Sequence, residues 1–321
     1  MRSTLQRTLT QSIFGLTCFL AIQTTPSWGQ AVSRMRTRYF TSLTNPEIEQ
    51  YLKRNDVIFI PVGAIETFGS MPTGMEYTMG EAYALKLAEE ADGLILPWVT
   101  YFYPGVTVTG VGSVYVPQNI GFEYLKAIAH SLLRQGFRRQ VYLSAHGPSN
   151  QYVSGMVRDF FEETKCPILY IDLATVQRNA RTGGAGAQAQ SAFRSIGYGA
   201  YYIVGRMGEI PLELDIAPLA EPPLPRPPDS IRKLQALAPG SGAVGTYDPD
   251  AEHNGGRPLE SFKMTAEQRE KLGREGAARI EAVIKSIDIR SVVQAMRDED
   301  KYVRDVIVPR YKSILPKDKL Q

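Results

Sequence analysis

Cysteine is nearly absent. Of the two in 321 residues, Cys18 lies in an apolar stretch near the amino terminus and Cys166 between a helical and a strand-like pattern. If that stretch is removed, Cys166 is left without an intramolecular partner, so a disulfide framework is excluded even in an oxidising compartment. A buried, inert thiol is the expectation for it. An excess of charge is also lacking: 36 Lys and Arg stand against 33 Asp and Glu. Nothing in that balance argues for nucleic acid or a membrane surface as a partner. After residue 29 no apolar run is long enough to suggest a membrane span. Imidazole is scarce as well, supplied only by His130, His146 and His253.

The amino-terminal segment reads as an export signal. Arg2 and Arg7 give it a positive start, residues 12–22 a short apolar core, and Ser27-Trp28-Gly29 small residues at a cleavage position. The expectation is a mature chain beginning near Gln30 in the periplasm or outside the cell. Removing Arg2 and Arg7 leaves the rest close to neutral.

From residue 30 onward apolar runs alternate with helical patterns. Strand-like runs occur at residues 57–62, 94–100, 140–144 and 168–173. Helix-like patterns occur at 45–53, 80–92, 120–136 and 151–164. That alternation predicts a single α/β domain of three layers, helices on both faces of a mostly parallel sheet. The domain is expected to span residues 30–289, followed by a charged tail at 290–321. Within it, 177–191 reads as a mobile loop or lid, with plain disorder as the alternative, 201–204 as a further strand and 222–228 as an extended proline-rich connector. Residues 264–287 read as an amphipathic helix that Thr265 caps. His130 reads as an ordinary helix residue.

Two stretches carry the chemistry. The run at 57–62 is buried-strand in character, breaks at Gly63, and delivers Glu66 and then Glu76 before a helix expected to begin near Glu81. Open α/β sheets hold their ligands at such strand ends. The second stretch, Gln140 to Asn150, reads QVYLSAHGPSN and places His146 at the end of a short strand. A histidine there suits a metal ligand or a general base, as well as a hydrogen-bonded structural role. Between the two, the alternation around 106–108 and 114–116 suggests extended strands, and Tyr101, Tyr103 and Tyr115 suit ordinary half-buried sheet packing.

Read together, Gly63-Ala64-Ile65-Glu66-Thr67-Phe68-Gly69, Met71-Pro72-Thr73-Gly74-Met75-Glu76 and Ser144-Ala145-His146-Gly147-Pro148-Ser149-Asn150 resemble the creatininase (creatinine amidohydrolase) family in order and spacing. The likeness extends over residues 45–287 and includes 132–139 and 242–249; in that family the stretch at 101–117 leads from the substrate pocket, which implies Tyr101, Tyr103 and Tyr115 as candidates to line one, with ordinary sheet packing as the alternative. It implies that family's fold and a two-metal hydrolase, usually zinc or manganese, acting on amide or amidine C–N bonds. It maps Glu66, Glu76 and His146 onto one ion's ligands, with Glu76 where the family has Asp. The second ion would need His where this chain has Phe68 and a carboxylate where it has Pro148. Glu209 matches a family Glu and is the candidate catalytic residue, while Arg206 stands where a His is expected. Apart from the mapped residues, only His253 is a candidate substitute ligand.

One divalent ion per chain, zinc or manganese, or none, is therefore expected. Two readings stay open: an exported hydrolase opening a C–N bond of a small cyclic or linear amide or amidine with one ion, or a non-catalytic binding protein on the same fold. The partners expected are a small-molecule substrate and further copies of the chain in a homo-oligomer, with no nucleic acid and no membrane.

Overall fold

Val57–Pro61, apolar throughout and buried on both faces, forms the central strand β1 of the computed structural model, which describes residues 35–180, 187–215 and 261–317. Before it comes helix α1 (Asn45–Leu52), closed at its start by a Thr44–Glu47 capping box. After it come α2 (Met75–Ala91), β2 (Leu94–Ile95), α3 (Gln118–Gln135), β3 (Arg139–Ser144), α4 (Asn150–Thr164) and β4 (Leu169–Asp172). Helices α5 (Leu173–Ala180) and α6 (Ala187–Ile203) follow. A small antiparallel pair, β5 (Glu213–Leu214) and β6 (Phe262–Lys263), precedes α7 (Ala266–Ile287) and α8 (Ile289–Tyr302).

Among the described residues the main sheet has the order β2-β1-β3-β4, every pairing parallel. Alternation along the strands sorts its two faces. Val57, Phe59, Val141, Leu143 and Ile171 join one core with α2, α6, α7 and α8. On the opposite face Gln140 donates to the Ala129 carbonyl of α3, and Tyr142 donates to Gln140. The expected three-layer α/β/α architecture is what forms.

Four local expectations give way. The second strand keeps only Leu94–Ile95, because the chain turns through Pro97 and Trp98 takes a φ of +66°. Residues 201–203 end helix α6 and Val204 lies in the turn after it, instead of forming a strand. That helix lies against α7 where glycine faces glycine: a Cβ on Gly199 would stand 2.1 Å from a backbone carbon of Gly276. Residues 177–180 and 187–191, expected to belong to a lid, are helical, in α5 and α6. The span 290–302, expected as a charged tail, is helix α8, whose Ile289, Val293 and Met296 fill the main core. The export segment, residues 181–186, 222–228 and 242–249, and His253 lie outside the described residues. No described helix is long and apolar enough to cross a membrane. Cys166 is buried, and burial pushes its thiol up to about 11.

Candidate metal centre

The strand order reverses direction between β1 and β3, and the chemistry collects just beyond their carboxyl ends, where such sheets open a crevice. Glu66 follows β1, and His146 follows β3. Glu76 comes from the first turn of α2, which starts at Met75, ahead of the expected start near Glu81. Gly63 permits this approach, since a Cβ there would fall 2.7 Å from Tyr77 Cα. Glu66 N–H donates to the Thr73 carbonyl at 3.1 Å, closing the loop that carries both acids.

Glu66, Glu76 and His146 each turn one ligand atom inward, and these atoms lie within 4.8 Å of one another. All three side chains are buried: Glu66 is 0 %, His146 1 % and Glu76 5 % exposed. His146 Nε2 donates to the Tyr103 carbonyl at 3.0 Å, which turns Nδ1 toward the acids. Nδ1 is hydrogen-bonded to Glu76 Oε2 and 3.1 Å from Glu66 Oε1. The hydroxyl of Thr107 donates to the other Glu66 oxygen, Oε2. The His146 turn is braced from behind by Ser144 Oγ, which accepts from His146 N–H at 3.1 Å and donates to Ser149 at 2.9 Å.

Burial and the neighbouring charge of Glu66 push the Glu76 carboxyl up to about 7, with His146 pulling the other way. For His146, burial opposes the charged form, but Glu76 and Glu66 outweigh it and raise the imidazole well above its ordinary range. Without a cation the three groups thus hold protons among themselves. Two carboxylates and one imidazole nitrogen, with no Lys or Arg among the converging groups, form a donor set whose charge a single divalent ion would balance. The residues present fit that ion.

Because the ion must displace protons from both His146 and Glu76, affinity for Zn²⁺ or Mn²⁺ should weaken as pH falls, already above pH 7 through His146 and more steeply below about pH 7, where Glu76 takes up a proton as well. Calorimetric titration in two buffers of different ionisation enthalpy would show the proton release. A pH-independent affinity would mean that the ion binds elsewhere.

The positions implied for a second ion are filled by apolar groups. Phe68 is buried in the main core, and Pro148 is buried beside Gly105. Arg206 lies after α6 and is drawn to α2, its Nη2 donating to Glu81 Oε2 at 2.6 Å and to Thr78 at 3.1 Å. Glu209 is exposed on a 3₁₀ turn, 3.9 Å from Arg206, and does not join the buried cluster. Of the three tyrosines, Tyr103 contributes its backbone carbonyl, while Tyr101 and Tyr115 are exposed. Residues 106–108, expected as strand, lie in the 3₁₀ turn Gly105–Thr109 that bears Thr107. His130, on α3, is hydrogen-bonded to Glu163 of α4 at 2.8 Å.

A family model described as creatinine amidohydrolase matches residues 41–193, the segment that carries all three donors. Over those residues the chain matches the creatininase family. Two solved creatininases share its fold. One, described as creatininase Mn, is 19 % identical with a TM-score of 0.55, over 82 % of this chain and 98 % of the other. The other, a zinc–zinc form of a mutant creatininase, is 20 % identical with a TM-score of 0.54, over 83 % and 99 %. A curated relative, 3-dehydro-scyllo-inosose hydrolase of Thermotoga maritima, is 31 % identical over 111 residues. That match spans 34 % of this chain and 36 % of the relative's length.

Proposed function

We propose that this protein is an exported hydrolase of the creatininase family that uses one divalent ion, zinc or manganese, to open a C–N bond of a small cyclic or linear amide or amidine. The observation that supports it best is the convergence of Glu66, Glu76 and His146 into one buried three-donor set, with apolar side chains at both positions a second ion would need. Three protein donors leave a divalent ion an open position, where it supplies Lewis-acid polarisation and an acidified water. The chain's own part is to hold the donors. The Tyr103 carbonyl keeps the Nε2 proton of His146, and Ser144 and Ser149 fix the turn behind it.

Small cyclic amides and amidines come first because of the family; the inosose named for the Thermotoga relative has no C–N bond and is a second candidate only if a ring C–C bond is the one opened. A homo-oligomer outside the cytoplasm completes the reading; light scattering and amino-terminal sequencing of the native protein test those two parts. A non-catalytic binding protein on this fold is favoured by one observation, the near-complete burial of the donors. Metal analysis combined with a hydrolysis screen separates the readings. One ion per chain and turnover of a cyclic amide or amidine that is lost with chelator is the expected result; turnover of an inosose in its place would move the reaction to a C–C bond. Two tightly bound ions would overturn the donor assignment, and no ion with no turnover would favour the binding protein.

A further inference from the structure

The geometry points to Thr107 as a positioning residue for the metal centre, holding Glu66 so that one chosen oxygen, Oε1, faces the ion. The inference rests on the one-ion reading above and deepens it. Thr107 is 2 % exposed and belongs to neither ligand-bearing stretch; it comes from the 3₁₀ turn Gly105–Thr109, forty-one residues after Glu66. Its hydroxyl reaches Glu66 Oε2 and also stands 3.0 Å from the Pro104 carbonyl. A threonine hydroxyl has a single proton to give. Facing an ionised carboxylate and a neutral carbonyl, it gives that proton to the carboxylate, the stronger acceptor.

The two oxygens of Glu66 are thereby made unequal. Oε2 is occupied by Thr107, and Oε1 lies 3.1 Å from His146 Nδ1, on the side where the three donors meet. A glutamate held in this way ligates through one oxygen, and the ion keeps a position open for water or substrate. The turn itself is tied down. The Thr107 carbonyl accepts from Ser113 Oγ at 2.9 Å and from Gly110 N–H at 3.0 Å, and Ser113 Oγ also accepts from Thr67 N–H at 3.2 Å. Through Tyr103 the same segment holds the far nitrogen of His146. One loop thus orients two of the three donors from behind, as outer partners of metal ligands do.

The test uses the full chain with Co²⁺ as probe, read by its visible d–d absorption and by competition with a chelator. Thr107→Val, which keeps the shape and deletes the hydroxyl, should weaken Co²⁺ by about 10- to 100-fold and change the d–d spectrum. Thr107→Ser, which restores the hydroxyl, should return affinity to within about threefold of wild type and recover the wild-type spectrum. Circular dichroism of the metal-free variants controls for folding, and Thr107→Ala replaces valine if valine does not fold. Wild-type affinity and spectrum in the hydroxyl-free variant would overturn the Thr107 assignment while leaving the one-ion reading intact. A wild-type chain that takes up no Co²⁺ would overturn both.

Discussion

His146→Ala should remove divalent-ion binding, lowering affinity at least about 100-fold, and should also destabilise the metal-free chain by about 3–5 kcal/mol at neutral pH. The two effects have separate causes. Imidazole is the nitrogen donor of the set, and without it two carboxylates alone must hold the ion. In the metal-free chain the same ring sits against both Glu66 and Glu76, so its removal leaves two acids buried without their counter-charge. Buried carboxylates relieve that cost by taking up protons. The loss of stability should therefore shrink as pH falls toward 5 and grow as it rises above 7. Urea denaturation at several pH values with chelator present reads this directly. Equal destabilisation at every pH would show that alanine acts through packing alone, and undiminished ion binding would place the metal elsewhere.

The central strands are the most readable part of the fold. β1 is buried on both faces and writes itself as an unbroken apolar run, while β3 shows a shorter one, Val141 to Leu143, between Gln140 and Ser144. The segments beyond their carboxyl ends are harder to read. The first turn of α2 has the look of a loop because Met75 through Gly80 are all buried, so this turn shows no polar face and no 3.6-residue rhythm. Glu76 consequently enters the site from a helix. At the end of α6, Tyr201-Tyr202-Ile203 and the following Val204 favour a strand locally, and tertiary packing of the helix against α7 overrides that preference. In α8 and the turn that follows it the many charges mask a real buried stripe, Ile289, Val293, Met296, Asp300 and Val303, spaced as one helix face.

The donor triad is legible because each donor belongs to a motif with its own spacing. Thr107 is not, since no local pattern marks a hydroxyl as the partner of a carboxylate that only folding brings near. Phe68 and Pro148 are visible as departures from the family pattern, and the structure adds that Phe68 is built into the main core and Pro148 is buried beside Gly105.

Asp300→Ala should cost about 3–5 kcal/mol of stability and leave the metal centre working. Asp300 is the buried acid of the α8 stripe, 0 % exposed, and two arginines from the start of β3 converge on it. Arg138 grips it with Nε at 3.0 Å and Nη2 at 2.6 Å, and Arg139 adds Nη1 at 2.7 Å. Burial by itself would raise the Asp300 carboxyl, but the Arg138 and Arg139 guanidiniums overcome it and hold the group below the usual carboxylate range. Its contribution is therefore complete above about pH 4, the ordinary aspartate value, and is lost as pH falls through the lowered one. An exposed pair such as Arg158–Glu162 should by contrast be worth under about 1 kcal/mol. The six residues of β3 set this anchor about 20 Å from the donors, so ion affinity in the folded variant should stay within about twofold of wild type. Urea midpoints combined with hydrogen exchange along residues 289–302 would check it, with exchange there rising first. A loss below about 1 kcal/mol would show that apolar packing alone holds α8 in place.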